Sequence, residues 1–329
     1  MIVKTDDIPI PLLQLAGLKK RVESAHPQYP VIIDDHAINQ SGYRGELAFN
    51  YYLKAVDDDN TAILNGLRVP GPNPFQMDNL ILNPYFFTIA EVKNFSGTIE
   101  FDHEFGQMTQ HTNGRTRSFK DPINQVDTQI FHLQNWLMQH GYSAIPIVAL
   151  VIFVSNHVHL TRTDANDVDP RIIRPGKFIE KYQELKQKYT TKILSEQQLL
   201  NLSRFLKQHH QPLRLDVLKK YHLTAKDIKP GAPCPECYYL PIIRNYGRWY
   251  CPRCKKINRE SHLFAFKDFQ LLYKNCITNK EARWMLQIDD SHVVSKILKR
   301  EGFKYSGKFK DRVYSLDFDY QTDYYYLMN

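Results

Sequence analysis

Two acids and a lysine occupy short segments in the first third of the chain, Gln76-Met77-Asp78-Asn79 and Glu91-Val92-Lys93. Both segments have strand-like surroundings. Because side chains at i and i+2 of a strand share a face, Glu91 and Lys93 should project together, and a neighbouring strand would bring Asp78 to them. Carboxylates bind a hard divalent cation such as Mg²⁺, and an ammonium beside them orients or deprotonates water. The pattern predicts a site for metal-dependent hydrolysis.

An isolated Glu-x-Lys is more often an exposed ion pair, and Asp78 could simply cap a turn. Here, however, the pair ends the apolar run Phe86-Phe87-Thr88-Ile89-Ala90, which predicts a buried central strand. Two unsupported charges rarely end such a strand. Glu46, in a helix predicted to begin with Ser41 as its cap, is a candidate for a further oxygen ligand or for polarising a bound water.

The elements that must position these residues alternate between strand and helix. Strand-like runs occupy residues 62–69, 77–82, 86–93, 98–101 and 145–154. The residues between them, from 102 to 120, predict a β-hairpin or a loop. Asp121-Pro122 begins a helix that carries one apolar stripe to about His140, and further helical signals follow at 177–188 and after Ser195. The sequence therefore predicts an α/β domain with a mixed sheet flanked by helices.

Five of these segments resemble the nuclease-related domain, a branch of the PD-(D/E)XK nuclease superfamily that includes restriction endonucleases. The segments are Gly45-Glu46, Gln76 to Leu82, Ile89 to Asn94, Gly97-Thr98-Ile99, and Asp121 to Gln125. Together they cover roughly residues 40 to 155 in the family's order. The family typically has Asn-Pro where this chain has Asp121-Pro122, a change that keeps the helix cap.

The resemblance implies a restriction-endonuclease-like fold and hydrolysis of DNA phosphodiester bonds. It implies that Asp78 and Glu91 are ligands of a catalytic Mg²⁺ and that Lys93 is the catalytic lysine. Glu46 and Gln125 would be supporting groups of the active site.

Four of the five cysteines form two Cys-x-x-Cys pairs, Cys234 with Cys237 and Cys251 with Cys254. Their spacing predicts a zinc ribbon in which four thiolates close a tetrahedral Zn²⁺ site, so that this metal is structural. The alternative is a redox motif, which would need one pair in an α/β fold. Cys276 is predicted to be a small buried side chain.

Two short helices are predicted after the ribbon, one capped by Thr278 and one beginning at Ser291, and a Gly-containing hairpin follows them. This pattern resembles a winged-helix arrangement, a class of helix-turn-helix unit that binds DNA. The alternative is a helical hairpin that packs on the nuclease domain or on another subunit. The candidate nucleic-acid contacts of the ribbon and of this unit are Arg248, Lys255, Lys296, Lys299, Arg300, Lys304, Lys308 and Lys310.

The composition agrees with nucleic acid as a partner, since the chain of 329 residues has a formal net charge of +8. It contains no apolar run long enough for a membrane span and no secretory signal, so a cytoplasmic protein without a membrane partner is expected. The predicted organisation is an N-terminal arm (1–38), a nuclease-related PD-(D/E)XK domain (39–212), a linker (213–230), a four-cysteine zinc ribbon (231–260) and a helix-turn-helix or winged-helix-like DNA-binding domain (261–329).

The sequence thus predicts a Mg²⁺-dependent deoxyribonuclease whose C-terminal modules bind DNA. A DNA-binding regulator or scaffold with an inert nuclease fold is the first alternative, and a nuclease directed at RNA is the second. A homodimer is compatible with the sequence, since cutting both strands of a duplex usually takes two active sites.

Overall fold

The apolar run before Glu91 becomes a strand near the middle of a six-stranded sheet in this computed structural model. The structure describes residues 1–58, 60–71, 73–142, 145–162, 169–308 and 311–328. Contacts divide the chain into two units. The first combines Met1–Asp7 with Gln40–Pro212, and the second combines Ile8–Asn39 with Leu213–Asn329.

The helices are α1 (Ile10–Arg21), α2 (Tyr29–Leu53), α3 (Pro122–Gln139), α4 (Phe178–Lys188), α5 (Glu196–Gln208), α6 (Val217–Lys220), α7 (Ser261–Leu272), α8 (Asn279–Leu286) and α9 (Ser291–Arg300). The strands of the first unit are β1 (Ile2–Lys4), β2 (Ala62–Val69), β3 (Phe75–Leu82), β4 (Phe87–Lys93), β5 (Gly97–Asp102), β6 (Gln107–Thr112), β7 (Arg115–Lys120), β8 (Ile147–Phe153), β9 (Val158–Arg162) and β10 (Ile172–Ile173). Those of the second unit are β11 (Ile243–Asn245), β12 (Arg248–Tyr250), β13 (Ile257–Asn258), β14 (Cys276–Thr278), β15 (Tyr305–Ser306) and β16 (Val313–Ser315).

The large sheet of the first unit has the strand order β1-β2-β3-β4-β8-β10. Strand β3 runs antiparallel to β2 and β4, whereas β4, β8 and β10 are parallel to one another, as are β1 and β2. Strands β4 and β8 are almost wholly buried, which explains their continuous apolar sequences. The predicted mixed sheet flanked by helices is therefore confirmed.

Helices cover both faces of this sheet. On one face, α3 and α5 bury their apolar stripes, including Val126, Leu133 and Leu202, against Leu80 and Ile89. The other face carries Ile81, Ala90 and Val92, which pack with Phe49 of α2 and with Phe178 of α4. Along β4, alternate residues thus belong to two separate hydrophobic layers, as the period of two requires.

A second sheet of the first unit has the order β7-β6-β5-β9. Strands β5, β6 and β7 form an antiparallel meander, and β5 also pairs in parallel with β9. For residues 102–120 the sequence predicts either a hairpin or a loop, and the structure shows a hairpin of β6 and β7. Its second strand leads directly into Asp121, whose side chain caps α3 as predicted.

In the second unit, the ribbon strands β11, β12 and β13 form an antiparallel sheet. The remaining elements follow the order α7, β14, α8, α9, β15, β16, and their sheet has the strand order β14-β16-β15. Side chains of the ribbon, including Trp249 and Cys251, share one hydrophobic cluster with Phe266, Met285 and Leu298 of the helices. The residues predicted as ribbon and as C-terminal domain therefore have a common core.

The first 38 residues, predicted as an arm, contain a strand and a buried helix. Strand β1 pairs with β2. Nearly all of α1 is buried in the second unit, where Gln14 Nε2 donates to the carbonyls of Leu215 and Leu271 at 2.9 Å each. Strand pairing and helix burial of this kind depend on partners far along the chain, so local sequence does not show them.

The helix predicted to begin at Ser41 begins instead at Tyr29, and this prediction is wrong. Pro30 fits the first turn of a helix, because its missing N–H would have no partner there. Ser41 lies in the helix interior, where its carbonyl accepts a hydrogen bond from Asn94 Nδ2 at 2.8 Å. Among the described residues, none of the helices is long and apolar enough to cross a bilayer.

Candidate active site and cysteine cluster

The register of β3 and β4 brings the two predicted acids together. The last paired residues are Asn79 and Ala90, so Asp78 and Glu91 come next to one another where the pairing ends. Asp78 Oδ2 accepts the backbone N–H of Val92 at 2.9 Å and thereby replaces the next rung of the ladder. Glu91 projects from the face that α3 covers, since its carboxylate accepts hydrogen bonds from Gln125 and Gln129 of that helix.

Lys93 and two glutamines of α3 surround the Glu91 carboxylate, which is 3% exposed. Lys93 Nζ lies 2.7 Å from Glu91 Oε1, and Gln125 Nε2 donates to the same oxygen at 2.6 Å. The side-chain oxygen of Gln125, Oε1, in turn accepts from Lys93 Nζ at 2.9 Å. Gln129 Nε2 donates to Glu91 Oε2 at 2.9 Å and to the Gln76 carbonyl at 2.8 Å. The structure thus brings Glu91, Lys93 and Gln125 into contact with one another.

Glu46 reaches the site from α2, which packs on the opposite face of the sheet. A Cβ on Gly45 would lie 2.6 Å from Asn94 Cβ, a distance that side chains do not tolerate. Glycine at this position therefore lets α2 approach the residue that follows Lys93. The hydrogen bond from Asn94 to the Ser41 carbonyl holds the helix there. Glu46 is consequently placed beside the strand ends.

The carboxylates of this site repel one another. Loss of hydration, together with the charges of Glu91 and Glu46, raises the pKa of Asp78 well above its usual range. Burial and the charges of Asp6 and Glu91 raise the pKa of Glu46 to about 7. Burial opposes the charge of Lys93, but the neighbouring Glu91 and Asp78 carboxylates outweigh it and raise the pKa of the ammonium.

Two residues of this region carry no sequence prediction, Gln129 and Asp6. Gln129 lies four positions after Gln125 and therefore on the same face of α3, so helical spacing could have identified it. Asp6 accepts hydrogen bonds from Asn50 Nδ2 at 2.7 Å and from Asn65 Nδ2 at 2.9 Å. No local signal identifies Asp6, because its position depends on the pairing of β1 with β2.

A divalent cation fits this donor set chemically. The side chains offer carboxylate oxygens, which hard cations prefer, and their mutual repulsion is the electrostatic strain that a cation relieves. Asp78 and Glu91 are the residues that would hold it, with Glu46 nearby. In the described part of the chain, however, only the cysteines bring three or more ligand atoms within 4.8 Å of one another.

The four cysteines of the second unit do lie close enough to bind one metal ion. The distances from Cys234 Sγ to Cys254 Sγ and from Cys237 Sγ to Cys251 Sγ are both 3.6 Å. A tetrahedral ion with metal–sulfur distances of about 2.3 Å would separate its sulfur ligands by about 3.8 Å. The cluster is thus consistent with the predicted ribbon site. Cys276 is half-buried, at the start of β14.

The basic residues predicted to contact nucleic acid are exposed wherever the structure describes them. Lys296, Lys299 and Arg300 lie on α9, on the side away from Val294 and Leu298, which are buried. The remaining described members are Arg248, Lys255, Lys304 and Lys308. Lys310 lies outside the described residues.

The model of the nuclease-related domain family matches residues 41–154. This range contains Glu46, Asp78, Glu91, Lys93 and Gln125, and it ends before the cysteine pairs. Comparisons with curated proteins and with solved structures give no match. The family match indicates a nuclease-related function for this part of the first unit.

The pKa of Glu46 predicts a pH-dependent stability effect. Its value of about 7, against a usual value of 4.5, means that the folded state binds more protons than the unfolded state between these values. The Glu46 contribution to stability therefore falls as pH rises through this window. Without added divalent cations, Glu46→Gln should raise the thermal unfolding midpoint at pH 8 by on the order of a few degrees and leave it unchanged at pH 4.5.

The exposed Glu104→Gln is the matched control and should show no such pH dependence. Added Mg²⁺ should stabilise the wild type more than Glu46→Gln at pH 8, because less repulsion remains to be relieved in the variant. If Glu46→Gln raised the thermal unfolding midpoint equally at both pH values, the carboxylates would not repel one another as described.

Metal analysis of the purified protein tests the cysteine cluster. We expect about one tightly bound zinc per chain, and its loss in Cys251→Ser, because three thiolates do not close the tetrahedral site. Cys276→Ser is the matched control and should keep the metal. A folded second unit that contains no metal would contradict this assignment.

Proposed function

We propose that the chain is a metal-dependent nuclease that hydrolyses phosphodiester bonds of DNA, with a PD-(D/E)XK active site in residues 39–212. The observation that carries the proposal is the convergence of Asp78, Glu91 and Lys93 at the point where β3 and β4 separate. The family match to residues 41–154 supports it independently of this geometry. Mg²⁺ is the proposed metal, since the ligands are carboxylate oxygens.

Each residue has a defined part in this chemistry. A Mg²⁺ held by Asp78 and Glu91 would lower the pKa of a bound water and offset the charge of the phosphate. Lys93 directs its ammonium to the attacking water, and its hydrogen bond to Gln125 limits the orientations of that ammonium. Gln129 holds the second oxygen of Glu91, so that the carboxylate keeps one orientation. Glu46 polarises water at the margin of the site.

The second unit is proposed to hold the nucleic acid. Its order of helix, strand, two helices and two strands resembles that of a winged helix, and in helix-turn-helix units the second of the paired helices enters the major groove. In this chain that helix is α9, which exposes Lys296, Lys299 and Arg300. The hairpin of β15 and β16 would contact phosphates, and the zinc ribbon would support both through the shared core.

The alternative is an inert nuclease fold that only binds DNA. The stability that the folded protein loses through this site argues against it. Four carboxylates near one another destabilise the folded protein, as the raised pKa values of Asp78 and Glu46 indicate. A protein that no longer used them would gain stability by losing any one. An RNA substrate is distinguished from DNA by assay, because ribbons and basic surfaces bind both polymers.

The test is cleavage of supercoiled plasmid, linear duplex, single-stranded DNA and RNA, each with and without Mg²⁺. We expect Mg²⁺-dependent cleavage of DNA. Asp78→Asn, Glu91→Gln and Lys93→Met should each lower the rate by on the order of 10²-fold or more, because each removes a group that acts on the reacting atoms.

Matched controls make the same types of change on the surface of α4. Glu184→Gln and Lys181→Met remove partners of a surface ion pair and should leave the cleavage rate unchanged. Equal cleavage by the wild type and by all three site variants would trace the activity to a contaminant. Binding of DNA without any cleavage would favour the non-catalytic alternative. Preferential cleavage of RNA would identify RNA, rather than DNA, as the substrate.

A further inference from the structure

The active site of the first unit is acidic, although its proposed substrate is a polyanion. Four carboxylates, those of Asp6, Glu46, Asp78 and Glu91, influence this site, and the ammonium groups of Lys4 and Lys93 oppose them. One bound divalent cation would balance this excess without attracting the rest of a nucleic-acid strand. A nuclease domain of this kind needs positive charge close to the site but outside the cluster.

The hairpin of β6 and β7, residues 107–120, has the required charge. It contains Arg115, Arg117 and Lys120 and no aspartate or glutamate. All three cations are exposed. Charged residues also protect edge strands from aggregation, and lysine is the usual choice for that purpose. Arginine, in contrast, offers a planar fork of donors that matches phosphate oxygens.

The register of the hairpin shows which way its arginines face. Arg117 pairs with Gln110, and Gln110 Nε2 donates to the Ser96 carbonyl at 2.8 Å. Phe119, two residues after Arg117, has its ring centroid 5.0 Å from that of Phe95. Residues 95 and 96 lie two and three positions after Lys93, the last residue of β4. Since Arg115, Arg117 and Phe119 alternate onto one face, the two arginines lie on the side of the hairpin that faces this segment.

The opposite end of the meander is attached to α3, the helix that carries Gln125. Asp121 N donates to the Gly106 carbonyl at 3.0 Å, and Asp121 Oδ2 lies 2.5 Å from His103 Nδ1. The other oxygen of Asp121 caps α3 through the backbone N–H of Ile123. The hairpin is therefore held between the end of β4 and the start of α3, the two elements that position Lys93 and Gln125.

From this placement we propose that Arg115 and Arg117 bind the phosphodiester backbone of the DNA on either side of the bond presented to Lys93. The inference rests on the proposed nuclease function and adds to it a substrate-binding surface on the first unit. Contacts of this kind are made to phosphates rather than to bases, so they hold DNA without selecting a sequence.

The test compares an Arg115→Gln/Arg117→Gln double variant with an Arg204→Gln/Lys188→Gln control. The control removes two exposed cations from α5 and α4 of the same unit. Binding of a duplex oligonucleotide is measured by fluorescence anisotropy over a range of KCl concentrations, with Lys93→Met in every protein so that nothing is cleaved. Steady-state kinetics use the same pairs of changes with Lys93 intact.

Each lost phosphate contact should reduce the slope of log Kd against log salt by about 0.9. The slope should therefore be smaller by about 2 for the hairpin variant and unchanged for the control. KM should rise more than kcat falls. Equal slopes for hairpin variant and control would overturn the inference even if the protein cleaves DNA. A reduced slope in a protein that cleaves no substrate would support the surface and remove the nuclease function, so the two failures are distinguishable.

Discussion

The carboxylate of Glu91 is almost completely removed from solvent, and its charge is the constraint around which the first unit is organised. Lys93 neutralises it from the same strand, and Gln125 and Gln129 hydrogen-bond both of its oxygens from α3. A buried charge without such partners would cost several kcal/mol. The same set of hydrogen bonds therefore determines the orientation of α3 on the sheet and the positions of the side chains in the candidate active site.

The site also stores unfavourable energy. Asp78 and Glu46 lie near Glu91, and lost hydration and like charges raise the pKa of both carboxyl groups. The folded protein tolerates this because strand pairing and two hydrophobic layers hold β3, β4 and α2 in place. Gly45 contributes by allowing α2 to approach Asn94 more closely than any side chain would permit. The fold maintains this repulsion between carboxylates, and a bound divalent cation would relieve it.

Much of this arrangement follows from local sequence. Alternation and apolar runs define β2, β3, β4 and β8, and Asp121-Pro122 defines the start of α3. The Glu-x-Lys spacing places Glu91 and Lys93 on one face without knowledge of the fold. Strand ends with opposed charges and a helix with two glutamines at i and i+4 are signals of the same local type, although the second is easily overlooked.

Other features depend on long-range pairing and could not be predicted. Asp6 enters the first unit only because β1 pairs with β2, about sixty residues later in the chain. The sequence predicts helix α1 as part of an N-terminal arm because the elements that bury it, such as α7, lie far along the chain. Arg21 at its end forms an ion pair with Asp268 of α7 at 2.7 Å. Serine is a residue type that caps helices, which is why the sequence predicts Ser41 as the cap, but the helix already begins at Tyr29, with Pro30 in its first turn.

Crystals of the protein soaked with Mn²⁺, which takes the same oxygen ligands as Mg²⁺ and can be located by its anomalous scattering, test the central claim most directly. The account predicts a single Mn²⁺ coordinated by carboxylate oxygens of both Asp78 and Glu91, with the Lys93 ammonium beside it. An ion bound elsewhere in the first unit, with these three side chains directed to separate surfaces, would contradict the claim.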